Sequence, residues 1–197
     1  MAELIRWAER LFLIPLSCLV IYRVWPHIAD HPHMVLFLAS EIVGVVLLLT
    51  QRRGTWSVDL YPLIVALLGT GVGLLVIPAG AQLVAEPISV MLVMTGAGIS
   101  FLAKLFLGRS FGVVPANRGV KVYGVYRFVR HPMYLGYMIN QLGFLLLFFS
   151  LHNVIIYAIA WLAFWLRATE EEKFLEKDEE YRLYREKVRY RLIPGVA

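Results

Sequence analysis

The chain has one cysteine in 197 residues, Cys18, which leaves no disulfide framework and no cysteine metal site. Its place inside the first apolar run marks it as a small buried apolar side chain rather than a nucleophile. Charge is scarce as well. Asp, Glu, Lys and Arg together make up 17% of the sequence, against about a quarter in an ordinary soluble domain. Apolar residues reach 59% and the mean hydropathy is +0.69. This balance excludes a soluble globular enzyme. It leaves too little polar chain for a separate soluble domain, so residues 1–197 are read as a single membrane domain. No low-complexity segment or internal repeat stands out.

What the sequence does contain is a series of apolar runs, near 10–26, 33–50, 60–80, 86–107, 133–150 and 153–167. A hydrocarbon core of about 30 Å needs roughly 20 helical residues, fewer when the ends snorkel. Backbone polar groups in lipid must bond internally, so each run is expected to be a helix. The fold class is therefore all-α integral membrane, with five to six transmembrane helices. Arg6 and Arg10 ahead of the first run resemble a signal-peptide start. However, Leu11 to Pro26 lacks a small-residue cleavage site, and the run is read as a retained helix.

Charge sets the orientation. Arg6, Arg10, Arg52, Arg53, the cations from Lys104 to Arg130, and the Lys and Arg residues from Arg167 onward all fall on one side of a six-span bundle. The connections near 27–32, 80–86 and 151–153 carry no Lys or Arg, and Arg23 alone lies near that side. By the positive-inside rule both termini are cytoplasmic. The net charge of +5 then reflects an inner-leaflet bias and calls for no nucleic-acid partner. After the last run, Phe174, Tyr181, Tyr184 and Val188 share one helical face. They predict a cytoplasmic amphipathic helix that packs on the loop before the fifth span and ends at Pro194.

Several polar residues have plain readings. Gly69, Gly71 and Gly73 mimic a nucleotide-binding loop but lie inside an apolar run, so they are read with Gly96 and Gly98 as close-packing faces. His27, His31 and His33 lack a carboxylate companion, and no metal site is assigned to them. Glu41 lies mid-span, either paired with Arg23 or bonded to a neighbouring helix, or functional. Asn140 and Gln141 must face the bundle interior as helix–helix contacts or pocket lining.

Two charged clusters differ from these. Gly124 to Gly136 carries Tyr126, Arg127, Arg130, His131, Pro132 and Tyr134, and Arg167 to Leu175 carries Glu170, Glu171 and Glu172. The runs between them turn at Leu151-His152-Asn153, so a helical hairpin returns both clusters to the same membrane face. His131 and Tyr134 then share a helical face, and Pro132 is tolerated in the first turn. Snorkelling to the headgroups suffices for Arg127 and Arg130. It does not explain three adjacent acids at a basic membrane edge.

At these residues the chain resembles the isoprenylcysteine carboxyl methyltransferase and phospholipid methyltransferase superfamily. The pattern Gly-x-Tyr-Arg-x-x-Arg-His-Pro-x-Tyr-x-Gly is matched from Gly124 to Gly136. An Arg followed by Glu-Glu and hydrophobics is matched at Arg167, Glu171, Glu172, Phe174 and Leu175, and the tail pattern at Tyr181, Tyr184 and Arg191 to Pro194. The resemblance covers about residues 104–194. It implies S-adenosylmethionine as methyl donor, with S-adenosylhomocysteine as product, held in a cytoplasm-facing pocket of a core at 108–197. The four spans of 1–107 would face the lipid and substrate. The implied donor-binding residues are Tyr126, Arg130, His131, Pro132, Tyr134, Gly136, Glu171 and Glu172, with Tyr137 as a further aromatic face. The implied catalytic residues are His131, Arg167 and Glu171. Arg167 would bind or neutralise the acceptor head, and His131 would orient the donor or act as base. A carboxylate acceptor needs no base, whereas a phenol or amine makes His131 or Glu171 essential. The short chain favours a small lipid or hydrophobic molecule over a prenylated protein, in a membrane of the bacterial inner type. The competing class is a carrier or binding protein that keeps the fold without turnover.

Overall fold

The computed structural model describes residues 2–29, 34–52, 54–56, 60–112, 114 and 116–196. Seven α-helices follow one another among them: α1 (Ala2–Val24), α2 (Met34–Thr50), α3 (Leu60–Gly71), α4 (Glu86–Leu107), α5 (Pro132–Leu147), α6 (Leu151–Leu175) and α7 (Glu179–Lys187). A two-residue antiparallel pairing joins Thr55 to Asn117 and Trp56 to Ala116. His31, His33 and Arg53 lie outside the described residues, as do the side chains of Arg6 and His27.

The expected six full spans are not all present as long helices. Among the described residues, Glu86–Ser110 and Leu151–Leu175, each of 25 residues, are long and apolar enough to cross a membrane. Met34–Thr50 and Ile64–Leu75 are shorter apolar helices. The third run, read as one helix over 60–80, stops as an α-helix at Gly71, continues as a 3-10 turn over Val72–Leu75 and then becomes extended. Its glycines make an α-helix costly there. Asn153 holds the extended chain in place: its Oδ1 accepts from Ile77 N at 3.0 Å, and its Nδ2 donates to the carbonyls of Ile77 at 2.9 Å and Phe148 at 2.7 Å. Ala81 and Phe149 exchange backbone hydrogen bonds of 2.8 and 2.9 Å. The non-helical backbone at Ile77 and Ala81 thus finds its partners within the protein.

The sixth helix departs from expectation in the other direction. It runs unbroken from Leu151 through the Glu170–Glu172 cluster to Leu175, with Ser150 capping its start by accepting from Asn153 N at 3.2 Å. The tail is not one helix ending at Pro194. The chain turns at 176–178, α7 begins under the Asp178 cap and ends at Lys187, and Val188 is already extended. Three of the four stripe residues, Tyr181, Tyr184 and Val188, are buried in the main apolar cluster, whereas Phe174 is half-buried against Lys177 and outside it. Cys18 corrects the opening expectation. It is exposed on α1, whose outer surface also shows Leu11 and Leu19.

Packing is uneven across the bundle. α5 lies along α4, α6 lies along α3, and α5 and α6 meet only sparsely. The α4–α5 contact depends on small residues. A Cβ at Gly96 would stand 2.4 Å from both Asn140 N and Gly136 O, and one at Gly136 would stand 2.6 Å from Ser100 N. Gly98, expected on the same kind of face, would meet nothing nearer than Leu36 at 3.9 Å. The basic residues at the cytoplasm-facing end of the sequence reading cap α2. Arg10 donates to the carbonyls of Leu48 and Leu49, and Arg109 Nε donates to Thr50 O at 2.9 Å.

These contacts separate two substitutions in one helix. Gly96→Ala should lower stability by about 1–3 kcal/mol through forced separation of α4 and α5. Gly98→Ala should be neutral or stabilising by up to about 1 kcal/mol, because alanine is the better helix former. Unfolding in detergent, followed by circular dichroism, measures both. Equal effects would contradict the close seam.

Candidate functional site

The two charged clusters meet through Glu172, whose side chain is 2% exposed. Its Oε1 accepts from Arg130 Nε at 2.7 Å and from His131 Nε2 at 3.1 Å, and its Oε2 accepts from Arg191 Nε at 3.0 Å. Arg130 Nη1 also donates to the carbonyls of Val188 at 2.8 Å and Arg189 at 2.6 Å. The backbone amides of Arg130 and His131 donate to Tyr190 O and Arg191 O, each at 2.9 Å. The tail after α7 therefore crosses the start of α5 as an extended strap. Charge-assisted bonds from three side chains offset the desolvation of this carboxylate.

A carboxylate only accepts, so His131 Nε2 carries the proton in this bond. Nδ1 of the neutral ring is left as an acceptor. It lies 3.8 Å from Glu171 Oε2. The His131 ring stacks on Tyr134 at 5.5 Å and 10°, and Tyr134 stacks on Phe164 at 5.6 Å and 4°. The guanidinium of Arg167 sits 5.2 Å from the centre of the Tyr134 ring, within cation–π range. The Tyr134 hydroxyl donates to Glu171 Oε2 at 3.2 Å.

This stack separates two spaces. On the His131 side is a polar pocket of about 70 Å³, lined by Arg118, Lys121, Tyr126, Arg130, Glu171 and Tyr181 among others. On the Phe164 side is a cavity of about 570 Å³ with mostly apolar walls, running from Arg23 and Pro78 to Leu48, Lys104 and Arg167. Arg167 Nη1 donates to Thr70 Oγ1 at 3.3 Å at the edge of this cavity.

The expected site residues thus divide into groups. Tyr126, Arg130, His131 and Glu171 line the polar pocket, Arg167 and Tyr137 line the cavity, and Tyr134, 2% exposed, stands between. Tyr134, Glu172, Pro132 and Gly136 line neither space. Glu172 is committed to three protein donors, Pro132 opens α5, and Gly136 faces α4. Glu41 pairs with Lys104 at 3.3 Å and accepts from Ser17 Oγ at 3.3 Å, not with Arg23 as one reading had it. Asn140 and Gln141 serve both expected purposes. Each lines the cavity and bonds a neighbouring helix, Asn140 through Val93 O at 3.4 Å and Gln141 through Trp161 Nε1 at 2.8 Å.

Two pocket residues escaped the sequence reading as site residues. Arg118 donates to Gln51 Oε1 at 3.2 Å and stands 3.9 Å from Glu9, and burial lowers its pKa against the raising effect of Glu9. Nothing in the loop pattern sets it apart from the other cations there. Tyr181 was placed on a packing stripe. Its hydroxyl is buried at the polar pocket with no hydrogen-bond partner among the described residues. Burial pushes Tyr181 and its neighbours Tyr126 and Tyr184 above the ordinary phenol range, so all three stay neutral donors. Tyr184 uses its proton on Tyr126 O at 2.7 Å. Asn117 Nδ2 donates to Asp178 Oδ2 at 2.6 Å, joining the loop over this pocket to the α6–α7 turn, and that bond holds the Asp178 carboxyl below its usual range.

Comparison with known families matches residues 79–177, half of the chain, to the isoprenylcysteine carboxyl methyltransferase family. The match takes in all of α4, α5 and α6 together with the pocket loop, and it stops short of Tyr181 and the tail strap. No curated protein matches the chain.

The two adjacent glutamates should behave differently. Glu172→Ala leaves Arg130, His131 and Arg191 without their counter-charge and should cost about 3–5 kcal/mol of stability. Glu171→Ala, at a side chain 33% exposed, should cost less than about 1 kcal/mol. Thermal unfolding of the two purified variants decides it, and similar losses would refute the assignment of Glu172 as the tie.

Proposed function

Because this chain belongs to the isoprenylcysteine carboxyl methyltransferase family, we propose that it transfers a methyl group from S-adenosylmethionine to the polar head of a lipophilic acceptor in a membrane. The observation that carries this reading is a polar pocket lined by His131 and an apolar cavity lined by Phe164, with Tyr134 stacked between the two rings. A water-soluble donor and a lipid-soluble acceptor need two such compartments with a short common boundary.

The residues present fit the donor. The orphaned Tyr181 hydroxyl, the Glu171 carboxylate and the cations Arg118 and Lys121 line one pocket, and these suit a molecule with an ammonium, a carboxylate and a ribose diol. When bound, S-adenosylmethionine supplies an electrophilic methyl group. The pocket is small, about 70 Å³, and the loop that carries Ala116 and Arg118 along its wall is tied to the α6–α7 turn by the Asn117–Asp178 bond.

The chain's own residues then have distinct tasks. Glu171 binds the donor and is oriented by the Tyr134 hydroxyl. His131, its Nε2–H fixed on Glu172, keeps Nδ1 on the pocket side beside Glu171, where it orients the donor. Arg167 draws the acceptor head to the Tyr134 wall from the cavity side. Glu172 acts through the groups it holds and is a positioning residue. The basic caps on α2 and the pocket face the cytoplasm, with both termini on that side.

Donor binding tests the assignment directly. Glu171→Ala should weaken S-adenosylhomocysteine binding at least tenfold, since a hydrogen bond to a charged group contributes about 1.5–3 kcal/mol. Tyr181→Phe should weaken it two- to tenfold, in line with about 0.5–1.5 kcal/mol for a neutral bond. Arg167→Met should leave this affinity unchanged while raising the acceptor KM. Calorimetry in lipid nanodiscs gives the first two and turnover gives the third. Unchanged donor affinity in both Glu171→Ala and Tyr181→Phe would refute the pocket.

A further inference from the structure

The cavity that receives the acceptor in this reading has a polar place besides Arg167. Glu41 on α2 and Lys104 at the end of α4 both line it. The ammonium of Lys104 is 3% exposed and has its three protons placed: on Ser40 O at 3.0 Å, on Ser40 Oγ at 3.0 Å and on Glu41 Oε1 at 3.3 Å. Glu41 is not saturated in the same way. Its side chain is 21% exposed, and among the described residues its two oxygens accept one bond each, from Lys104 and from Ser17 Oγ at 3.3 Å. A carboxylate has about four acceptor sites. What the pair presents to the cavity is therefore unused acceptor capacity within apolar walls.

A tie between α2 and α4 does not require charge. Replacing a buried ion pair with well-packed apolar residues is often neutral or stabilising. Ionisable groups at membrane depth are costly, and they mark ligand paths by default. What leucine and methionine would not supply here is a place for a proton donor. Lys104 neutralises Glu41, so the pair has no net charge to attract a cation, and its complement is a neutral donor.

We propose that the lipophilic acceptor carries a neutral hydrogen-bond donor, a hydroxyl or an amide N–H, on its apolar body, and that Glu41 reads it while Arg167 meets the head. This rests on the reading of the cavity as the acceptor chamber. A site built to bond such a group rejects the analogue that lacks it, because the polar group is then left unpaired. Glu41 is thus a specificity residue on the wall away from the chemistry.

The experiment uses the full chain in phosphatidylcholine nanodiscs. Binding is measured for hexadecanoic acid, for the set of its monohydroxy positional isomers and for N-dodecanoylglycine, by displacement of a fluorescent fatty acid. The wild type should prefer one hydroxy isomer or the amide over the plain chain by tenfold or more, and which one wins identifies the donor group. The double variant Glu41→Leu with Lys104→Met removes both charges, so no lone ion is stranded, and should reduce that preference below twofold. Glu41→Gln with Lys104→Met, which keeps a neutral acceptor oxygen without a lone ion and serves if the first double variant misfolds, should give an intermediate preference. A wild type without preference, or a folded variant that keeps the full preference, overturns the proposal. Val20→Trp, which fills the cavity from α1, separates the two levels. If it leaves binding of the plain chain unchanged, the cavity is not the acceptor chamber and both readings fall. If it blocks that binding but no isomer is preferred, the role of Glu41 alone falls.

Discussion

The buried carboxylate of Glu172 ties together three segments that lie far apart in sequence: the approach to α5, the end of α6 and the tail beyond α7. Arg130, His131 and Arg191 converge on its two oxygens, and the backbone of the tail pairs with that of Arg130 and His131. Three neighbouring groups take their places from this knot. The His131 ring is turned so that its second nitrogen faces Glu171, Tyr134 is held against that ring, and Tyr181 on α7 is brought over the polar pocket. The charge of Glu172 is spent within the protein, which leaves Glu171, one residue away and partly exposed, as the carboxylate facing the pocket.

Tyr134 links this knot to the rest of the bundle. Its ring is stacked between the imidazole, which lines the pocket, and Phe164, which lines the cavity, with the Arg167 cation close by, while its hydroxyl reaches Glu171. The polar pocket and the apolar cavity are accordingly neighbours rather than one mixed space, and each keeps the solvation its contents prefer.

Much of this was legible in the sequence, and the exceptions have physical causes. The charge asymmetry and the uncharged tip at 151–153 foretold the return of the two clusters to one end, and Arg130 does contact Glu172 there. The motif spacing marked His131, Glu171 and Arg167 but did not separate Glu171 from Glu172, since that depends on which side of α6 faces the tail. The break after Gly71 was hidden because hydropathy stays high through 72–78 although the backbone leaves the helix, rescued by Asn153 from more than seventy residues away. The Glu41–Lys104 pair spans 63 residues and two helices, and no local pattern predicts it. Cys18 was misjudged because apolar residues in such a bundle face lipid as readily as protein.

The seam between α4 and α5 is closed by backbone against backbone at Gly96 and Gly136, whereas α5 and α6 stand apart around the cavity. One half of the bundle is therefore intolerant of added volume and the other is open to it. Mutational drift in α1, α2 and α3 can reshape the chamber, one side chain at a time, without disturbing the α4–α5 seam or the Glu172 knot. A scaffold divided in this way can change the shape of its chamber over evolutionary time while the ties around Glu172 stay fixed.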